Sequence, residues 1–201
     1  MKNLTFILCI MSLALMSCGQ KKDFQPEMVE SSIKIEGLDA DTNLFIEEQV
    51  KKLKQLATEE TIIQAILASN EKNKGLTTAE INRLDQNWRN NNNMENSLIK
   101  ELISNECARF LEIFDLKNPQ LIELFVMDNR GLLVGTINIT SDYNQGDEAK
   151  WSEVFGKDQI WCGQLEYDES TLSHGVQVSV PVKDIGAICA TISLKNRYSI
   201  Q

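Results

Sequence analysis

The stretch "LIELFVMDNRGLLVGTINIT", Leu121–Thr140, decides the fold of this 201-residue chain. Apolar and β-branched residues dominate both of its ends, and a polar segment that closes with Gly131 separates them. This pattern predicts two strands joined by a tight turn at 128–131. Three further stretches of the same kind follow at 159–168, 175–184 and 186–195. The last two are separated by a turn at 184–186, so the sequence predicts five strands.

Upstream of these strands, apolar residues recur every three or four positions, which is typical of helices. The predicted helices cover approximately 41–57, 59–70, 78–88 and 95–114. Asp41 or Thr42 is a candidate cap for the first helix. Thr77 or Thr78, with Glu80, forms a candidate capping box for the third.

A short helix is also predicted between the second and third strands, at "DEAKWSEVF", 147–155. Helices that precede a run of strands favour the α+β class with an antiparallel sheet. We therefore expect N-terminal helices over 41–116, followed by a five-stranded antiparallel sheet over 120–195. One face of such a sheet packs on helices, and the other must be covered or must hold something.

The N-terminus has the features of an export signal. Met1-Lys2 precedes an apolar run over 4–16, too short to span a bilayer comfortably. Its end, Leu15-Met16-Ser17-Cys18, resembles a bacterial lipobox. This resemblance implies a signal peptide over 1–17, cleavage before Cys18, and lipidation of that cysteine with palmitate-type acyl chains. Two or three such chains hold a protein on a membrane far better than one. The alternative is an ordinary signal with a chance cysteine.

We expect residues 18–40 to be the lipidated cysteine and a tether, because Gly19 to about Asp39 mixes charge and proline with little periodicity. No second apolar run reaches membrane-spanning length. Gly19 is not the aspartate that retains some lipoproteins at the inner membrane, which slightly favours the outer membrane. Localisation in the cell envelope, with the domain outside the cytoplasm, follows from these predictions.

Composition limits the function classes. The formal net charge of −9 argues against binding of nucleic acid and against electrostatic docking on anionic lipids. The spacing of Cys107, Cys162 and Cys189 is not that of a redox or zinc site. We expect these cysteines to be small buried apolar residues, and at most one disulfide can form among them. His174 is the single histidine, and no nucleophile lies in a motif with a base. We expect no enzyme and no cofactor.

The motif "TSDYNQGDEAKW", Thr140–Trp151, is the candidate functional segment. From Asp142 it nearly matches a twelve-residue calcium loop, but Asp147 stands where glycine is needed for the sharp turn. A looser calcium site on Asp142, Asp147 and Glu148 stays open. A structural interpretation is open as well: Ser141 and Asp142 would cap the short helix, and its buried face would carry Trp151 with Phe155.

A ligand pocket makes better physical use of these residues. Between 142 and 169 there are eight acids against two lysines, together with five aromatic residues. Aromatic rings offer faces for a cation, and carboxylates fix an amine. We therefore expect a cationic or amine-bearing small molecule. The candidate ligand-binding residues are Asp142, Tyr143, Asp147, Trp151, Tyr167 and Asp168. The alternative for the last pair is that 167–170 simply closes a hairpin.

Four segments carry a resemblance to the Cache family of extracytoplasmic sensor domains (PDC sensors, related to the PAS fold). They are "ELFVMDNRGLLVG", "TSDYNQGDEAKW", "EYDES" and "VSVPVKDIGAICATISL", within a resemblance that covers roughly 41–194. It implies a five-stranded sheet behind a long N-terminal helix, with a ligand pocket between the sheet and the crossing after the second strand. Here that crossing is the candidate motif. One departure is Asn144, where relatives often carry tryptophan.

The predicted function is that of a membrane-anchored lipoprotein that binds a small ligand through a Cache-like domain. Most Cache domains are followed by a signalling domain, whereas this sequence ends at Gln201. We therefore expect the signal to pass through a membrane partner. The alternative is a structural or protein-interaction lipoprotein whose sheet holds no ligand.

Overall fold

The structure is a computed structural model and describes residues 32–91, 93–168 and 173–195. The predicted signal peptide, Cys18 and most of the predicted tether lie outside these residues. The helices are α1 (Ala40–Leu56), α2 (Glu60–Asn73), α3 (Thr78–Asn90), α4 (Ser97–Ser104), α5 (Glu106–Leu116) and α6 (Ala149–Ser152). The strands are β1 (Leu121–Met127), β2 (Leu133–Thr136), β3 (Trp161–Asp168), β4 (Ser173–Val182) and β5 (Gly186–Ser193).

The five strands form one antiparallel sheet in the order β2-β1-β5-β4-β3. The predicted fold class is confirmed, with the helices first in the chain and the sheet after them. Because β1 pairs with both β2 and β5, the hairpin that decides the fold lies at one side of the sheet and the β3–β4 hairpin at the other.

Opposite faces of the sheet pack into two separate cores. The first face meets α1, α2 and α5, where Ile46, Leu53 and Ile62 pack against the valines of β4. The second face packs Phe125 and Met127 against Trp88 of α3 and against the segment that follows β2. The second face is the one on which the candidate motif lies.

The predicted helix over 95–114 is wrong in one respect, because the structure has two helices there. Asn105 has extended backbone (ψ 177°) and ends α4. Its side-chain oxygen accepts a hydrogen bond from the Ala108 amide at 2.8 Å and so caps α5, while its side-chain amide donates to the carbonyl of Val134 at 2.7 Å. Asparagine favours such caps over helix interiors, and apolar periodicity does not register this preference.

The helix caps were predicted in part. The capping box of α3 is present, with Thr77 at the N-cap and Glu80 returning its carboxylate to the Thr77 amide. The cap of α1 is Asp39 and not Asp41 or Thr42, since the Asp39 carboxylate accepts from the Thr42 amide at 2.7 Å. The helix therefore begins one residue earlier than its apolar pattern indicates.

The turn of the β1–β2 hairpin is fixed by a fully buried carboxylate, Asp128. One of its oxygens accepts from the amides of Arg130 and Leu132 at 2.9 and 3.0 Å. The other accepts from Ser69 and Asn73 of α2 at 3.1 and 2.8 Å. The turn is thereby tied to the helical layer, and this tie positions everything that follows β2.

The cysteines in the described residues are free thiols, with Cys107 and Cys189 buried and Cys162 half-buried. They therefore serve as small apolar residues, as predicted. None of the helices in the described part of the chain combines the length and apolarity needed to cross a membrane.

Candidate functional site

The candidate motif leaves β2 and folds back over the β1–β2 turn. Asn144 bridges Leu132, and the Gln145 amide donates to the carbonyl of Gly131 at 2.8 Å. Gly131 has φ +78°, and a Cβ there would lie 2.2 Å from the Cα of Gly146. Only glycine allows the two segments to approach this closely. The motif is therefore anchored on the turn by backbone contacts.

A second anchor comes from α3. One oxygen of the Asp85 carboxylate accepts hydrogen bonds from the amides of Tyr143 and Asn144 at 3.0 and 2.9 Å. The other oxygen pairs with Arg89 at 2.6 Å. Trp88 of the same helix is fully buried and donates its indole N–H to the carbonyl of Thr140 at 2.9 Å. Through these contacts of Asp85 and Trp88, α3 holds the first half of the motif in a fixed conformation.

Asp142 lies within this anchored half. Its carboxylate accepts from the side-chain amide of Gln145 and from the Ser141 hydroxyl, and it lies 3.7 Å from Arg89. It does not cap α6, whose N-cap is Glu148 without a side-chain hydrogen bond. The predicted capping role of Asp142 is therefore wrong, because its carboxylate forms contacts within the loop and with Arg89 and makes no hydrogen bond with the start of α6.

Gln145 is 1% exposed and was not singled out in the sequence. Its side-chain nitrogen donates to the Asp142 backbone carbonyl at 2.9 Å, and its side-chain oxygen has no hydrogen-bond partner in the structure. A buried unpaired oxygen costs stability. It is the one unsatisfied polar atom that the structure shows within the motif.

The two aromatic residues of the motif have separate roles. Tyr143 is 3% exposed and packs against Trp88, with ring centroids 6.0 Å apart. Burial raises the pKa of Tyr143, so its hydroxyl is neutral at physiological pH. Trp151 stacks on Phe155 at 4.9 Å and donates its indole N–H to the carbonyl of Asp128 at 3.1 Å. Trp151 therefore closes the motif onto the hairpin turn.

A lysine lies where the sequence predicted a bound cation. The side chain of Lys150 is only 10% exposed, and its ammonium lies 2.9 Å from a carboxylate oxygen of Glu148. The ammonium also lies 5.6 Å from the centre of the Phe125 ring on β1. These are the two kinds of group expected to hold an amine ligand. No pattern in the sequence indicates that this lysine is buried, because lysines usually lie in solvent.

The electrostatics around Lys150 keep it charged. Desolvation by burial lowers the pKa of Lys150, but Cys189, Glu148 and Asp142 together outweigh this effect, and the pKa is raised from its ordinary value. Burial raises the pKa of Cys189 to about 12, so that thiol is neutral at pH 7. The two carboxylates are therefore the groups that stabilise the ammonium.

Further along the second face, the sheet carries a small polar network. The Glu123 carboxylate on β1 accepts from Thr191 of β5 at 2.6 Å and from Gln177 of β4 at 3.4 Å. Ser179 of β4 is fully buried and donates to the carbonyl of Ile188 at 3.0 Å. This face is consequently much more polar than the one that packs on α1.

The other predicted residues lie elsewhere. Asp147 is exposed at the surface of the loop. Tyr167 is 51% exposed and meets the ring of His174 edge-on at 5.1 Å. It lies six residues beyond Trp161 in β3, about 20 Å along the strand. Asp168 pairs through its backbone with Ser173 at the same far end. The structure therefore brings Asp142, Tyr143 and Trp151 together, but not Tyr167 and Asp168 with them.

Among the described residues, no three histidine, cysteine or carboxylate side chains come together as a metal-binding group. The looser calcium site on Asp142, Asp147 and Glu148 is therefore not formed. Asp142 is already engaged by Gln145, and Glu148 by Lys150.

A cavity of about 540 Å³ opens between α2, α4, α5 and β2. Its inner wall contains Cys107, Leu102, Leu133 and Tyr143. Cys107 belongs to the core of the first face, whereas the other three belong to the core of the second. The cavity therefore lies where the two cores meet. Tyr143 is the one predicted residue that lines it.

Polar groups reach this cavity from the helices. Ser69 and Asn73 line it on α2, Asn105 lies at the start of α5, and three glutamates line it as well: Glu60, Glu101 and Glu106. Lys72 is the single basic residue among the lining residues, and its ammonium pairs with Glu101 at 2.7 Å. The cavity thus combines an apolar floor with a polar side and a net negative mouth.

No protein-family model matches this sequence, and no curated protein matches it. Several solved structures are similar to this chain at low identity. The sensor domain of the Vibrio cholerae histidine kinase DctB is 12% identical, with a TM-score of 0.45, over 75% of this chain and 50% of that one. The ligand-binding domain of the Campylobacter jejuni chemoreceptor Tlp3, in complex with L-valine, is 16% identical, with a TM-score of 0.37, over 78% and 65%.

An extracellular ligand binding receptor from Desulfohalobium retbaense is 15% identical, with a TM-score of 0.35, over 66% of this chain and 24% of that one. The chain thus spans between about a quarter and two thirds of the length of these proteins. All three of these solved structures have TM-scores below 0.5. At these identities and TM-scores they assign neither a ligand nor a function to this chain.

Proposed function

We propose that this domain is a ligand-binding sensor module and that its ligand enters the cavity between α2, α4, α5 and β2. The observation that carries this proposal is the cavity itself, which at about 540 Å³ has the size of a small-molecule site. Such sites combine apolar walls with a few polar groups that fix orientation. Leu102 and Leu133 supply the walls here, and Ser69, Asn73 and Tyr143 supply polar groups.

The ligand class follows from the lining. The apolar inner wall of the cavity suits a ligand with an apolar body. The cavity entrance has three carboxylates and one lysine that is already paired, so it suits a positively charged group on the ligand. This agrees with the cationic or amine-bearing ligand predicted from the sequence, although the cavity shares only Tyr143 with the predicted residues. Asp142 and Trp151 act on this site indirectly, since they hold the segment that carries Tyr143.

The setting that we propose is the cell envelope. Cys18 carries the lipid anchor, the residues after it tether the domain outside the cytoplasm, and the outer membrane is slightly favoured. A membrane partner then receives the ligand state and transmits it. The lipobox resemblance and the apolar run before it support this part of the proposal. Its test is mass spectrometry of the mature protein, which should show acyl chains on Cys18 and no modification in Cys18→Ser.

The cavity is tested with a thermal-shift panel of amines, amino acids, carboxylates and calcium on the purified protein. A ligand at a hundred times its Kd stabilises by ~2.7 kcal/mol, which raises Tm by several degrees. Ala68→Trp places a large side chain in the cavity wall and should abolish the shift. Leu67→Trp, on the same helix outside the lining, is the matched control and should retain it. A shift that survives in Ala68→Trp would contradict the cavity as the site.

The second candidate function is that of a protein-interaction lipoprotein. The observation that favours it lies on α5, where Ile113 is 55% and Leu116 is 81% exposed one helical turn apart. Exposed apolar residues of this size mark interaction surfaces when they are contiguous. A silent panel, together with partner co-purification that is lost in Leu116→Asp and kept in Leu67→Asp, would favour this function.

A further inference from the structure

Lys150 is a buried cation that the proposed cavity does not use. Its side chain is 10% exposed, and it lies on the short helix α6 between the motif and the second face of the sheet. The ammonium contacts the Glu148 carboxylate at 2.9 Å and faces the Phe125 ring at 5.6 Å. Phe125 is 2% exposed and lies on β1, which is paired with β2 on one side and with β5 on the other.

Burying an ammonium is costly unless its charge is compensated. Here a carboxylate supplies the opposite charge and an aromatic face supplies a cation–π contact. The surroundings of Lys150 are therefore those of a recognition site for a primary ammonium, and the occupant is part of the chain.

We propose that the second face of the sheet carries an ammonium-binding site, formed by Phe125 and Glu148, which Lys150 occupies as a tethered ligand. Lys150 thereby latches α6 onto the sheet. A free primary alkylammonium ion occupies the same site when the lysine side chain is removed. This proposal is independent of the cavity between the helices, whose lining contains neither Phe125 nor Glu148.

Chemical rescue tests the site directly. Lys150→Ala removes three methylenes and the ammonium, so n-propylammonium replaces what is lost. We expect the variant to have a lower Tm than the wild type, and n-propylammonium chloride to raise the Tm of the variant by several degrees. The wild type should respond much less, because its site is occupied. n-Propanol at the same concentration, in sodium chloride of matched ionic strength, is the neutral control and should not distinguish the two proteins.

Lys157→Ala is the matched control variant. Lys157 also pairs with a nearby glutamate, Glu153 at 2.9 Å, but its side chain is 45% exposed. Its removal changes the net charge equally and leaves the sheet face intact, so n-propylammonium should affect it as it affects the wild type. An equal response of all three proteins, or no greater response to n-propylammonium than to n-propanol in Lys150→Ala, would overturn the proposal.

If Lys150→Ala does not fold alone, the measurement becomes recovery of the folded circular dichroism spectrum. Recovery with n-propylammonium and not with n-propanol supports the site. Recovery with both, or with neither, counts against it. Glu148→Gln in the Lys150→Ala background sharpens the result, because loss of the carboxylate should weaken the rescue several-fold.

Discussion

The two faces of the sheet are built from the same strands but by different chemistry. On the first face, β4 presents Val176, Val178, Val180 and Val182 to an apolar core that includes Ile46 and Leu53 of α1. On the second face the alternate residues of the same strand include Gln177 and the buried Ser179. The first face supplies stability through burial, whereas the second holds hydrogen bonds and a charged lysine. The comparison shows that the polar and charged groups of the sheet are concentrated on the second face.

The largest expected difference between the faces is in core truncation. Ile188 and Cys189 are adjacent in β5, both fully buried, and they lie on opposite faces. Ile188→Ala should lower the free energy of unfolding by about 3 kcal/mol because it leaves a cavity in a packed core. Cys189→Ala removes a single sulfur and should cost about 1 kcal/mol. Chemical denaturation measures both. Equal costs would show that the second face is packed as tightly as the first.

The next largest effect is expected at the hairpin turn. Asp128→Ala removes the acceptor of four hydrogen bonds and leaves the Arg130 and Leu132 amides without it. Loss of a buried charged acceptor should cost about 2–3 kcal/mol. The control is Asp147→Ala, an exposed acid of the motif, which should change stability by less than about 0.5 kcal/mol. Urea denaturation distinguishes the two. A small cost at Asp128 would mean that the backbone alone holds the turn.

These two regions also show what the sequence could predict. The hairpin and the five strands followed from apolar patterning, because strand formation and tight turns leave a local signature in the sequence. The division of 95–114 at Asn105 did not, since it depends on the Val134 carbonyl far along the chain. The separation of Tyr167 from Trp151 could not be predicted from the sequence either, because it depends on the direction in which β3 runs through the sheet. In the sequence Lys150 was only one of two lysines among eight acids, and only the packed structure shows its ammonium against Phe125.

Alkaline pH compares a thiol from each core. Burial raises the pKa of both Cys107 and Cys189 from 9.0 to about 12. Below pH 9 the thiols are protonated in the folded and unfolded states, so they cause no change. Above pH 9 the unfolded state loses its protons first, and the free energy of unfolding should fall by about 1.4 kcal/mol per pH unit for each thiol.

Denaturation at pH 8, 9, 10 and 11 measures this slope. Cys107→Ala and Cys189→Ala should each reduce the pH dependence of the free energy of unfolding by the contribution of one thiol. The pH dependence that remains comes from Cys162, Tyr143 and Lys150, whose pKa values are also raised. For Lys150 the sign is the same, because its stabilisation is complete below pH 10.5 and is lost as the pH rises through its folded pKa. A slope unchanged in both variants would contradict the burial of the thiols.

The smallest expected difference compares the two tryptophans that fasten the motif. Both donate an indole N–H to a backbone carbonyl, Trp88 to Thr140 at 2.9 Å and Trp151 to Asp128 at 3.1 Å. Trp88 is fully buried, so Trp88→Phe should leave the Thr140 carbonyl unpaired at a cost of about 2 kcal/mol. The Asp128 carbonyl also accepts from the Gly131 amide at 3.1 Å, so Trp151→Phe should cost only about 1 kcal/mol. Thermal unfolding of the two variants gives the comparison.

Trp151→Phe should have a second consequence that Trp88→Phe lacks. Trp151 follows Lys150 directly in α6, so loosening its contact with Asp128 frees the helix that inserts the lysine into the sheet face. n-Propylammonium should then stabilise the Trp151→Phe variant slightly more than the Trp88→Phe variant. If the two variants respond alike, the latch at Lys150 is held by Phe125 and Glu148 alone, and the tryptophan contributes only to the stability of the loop.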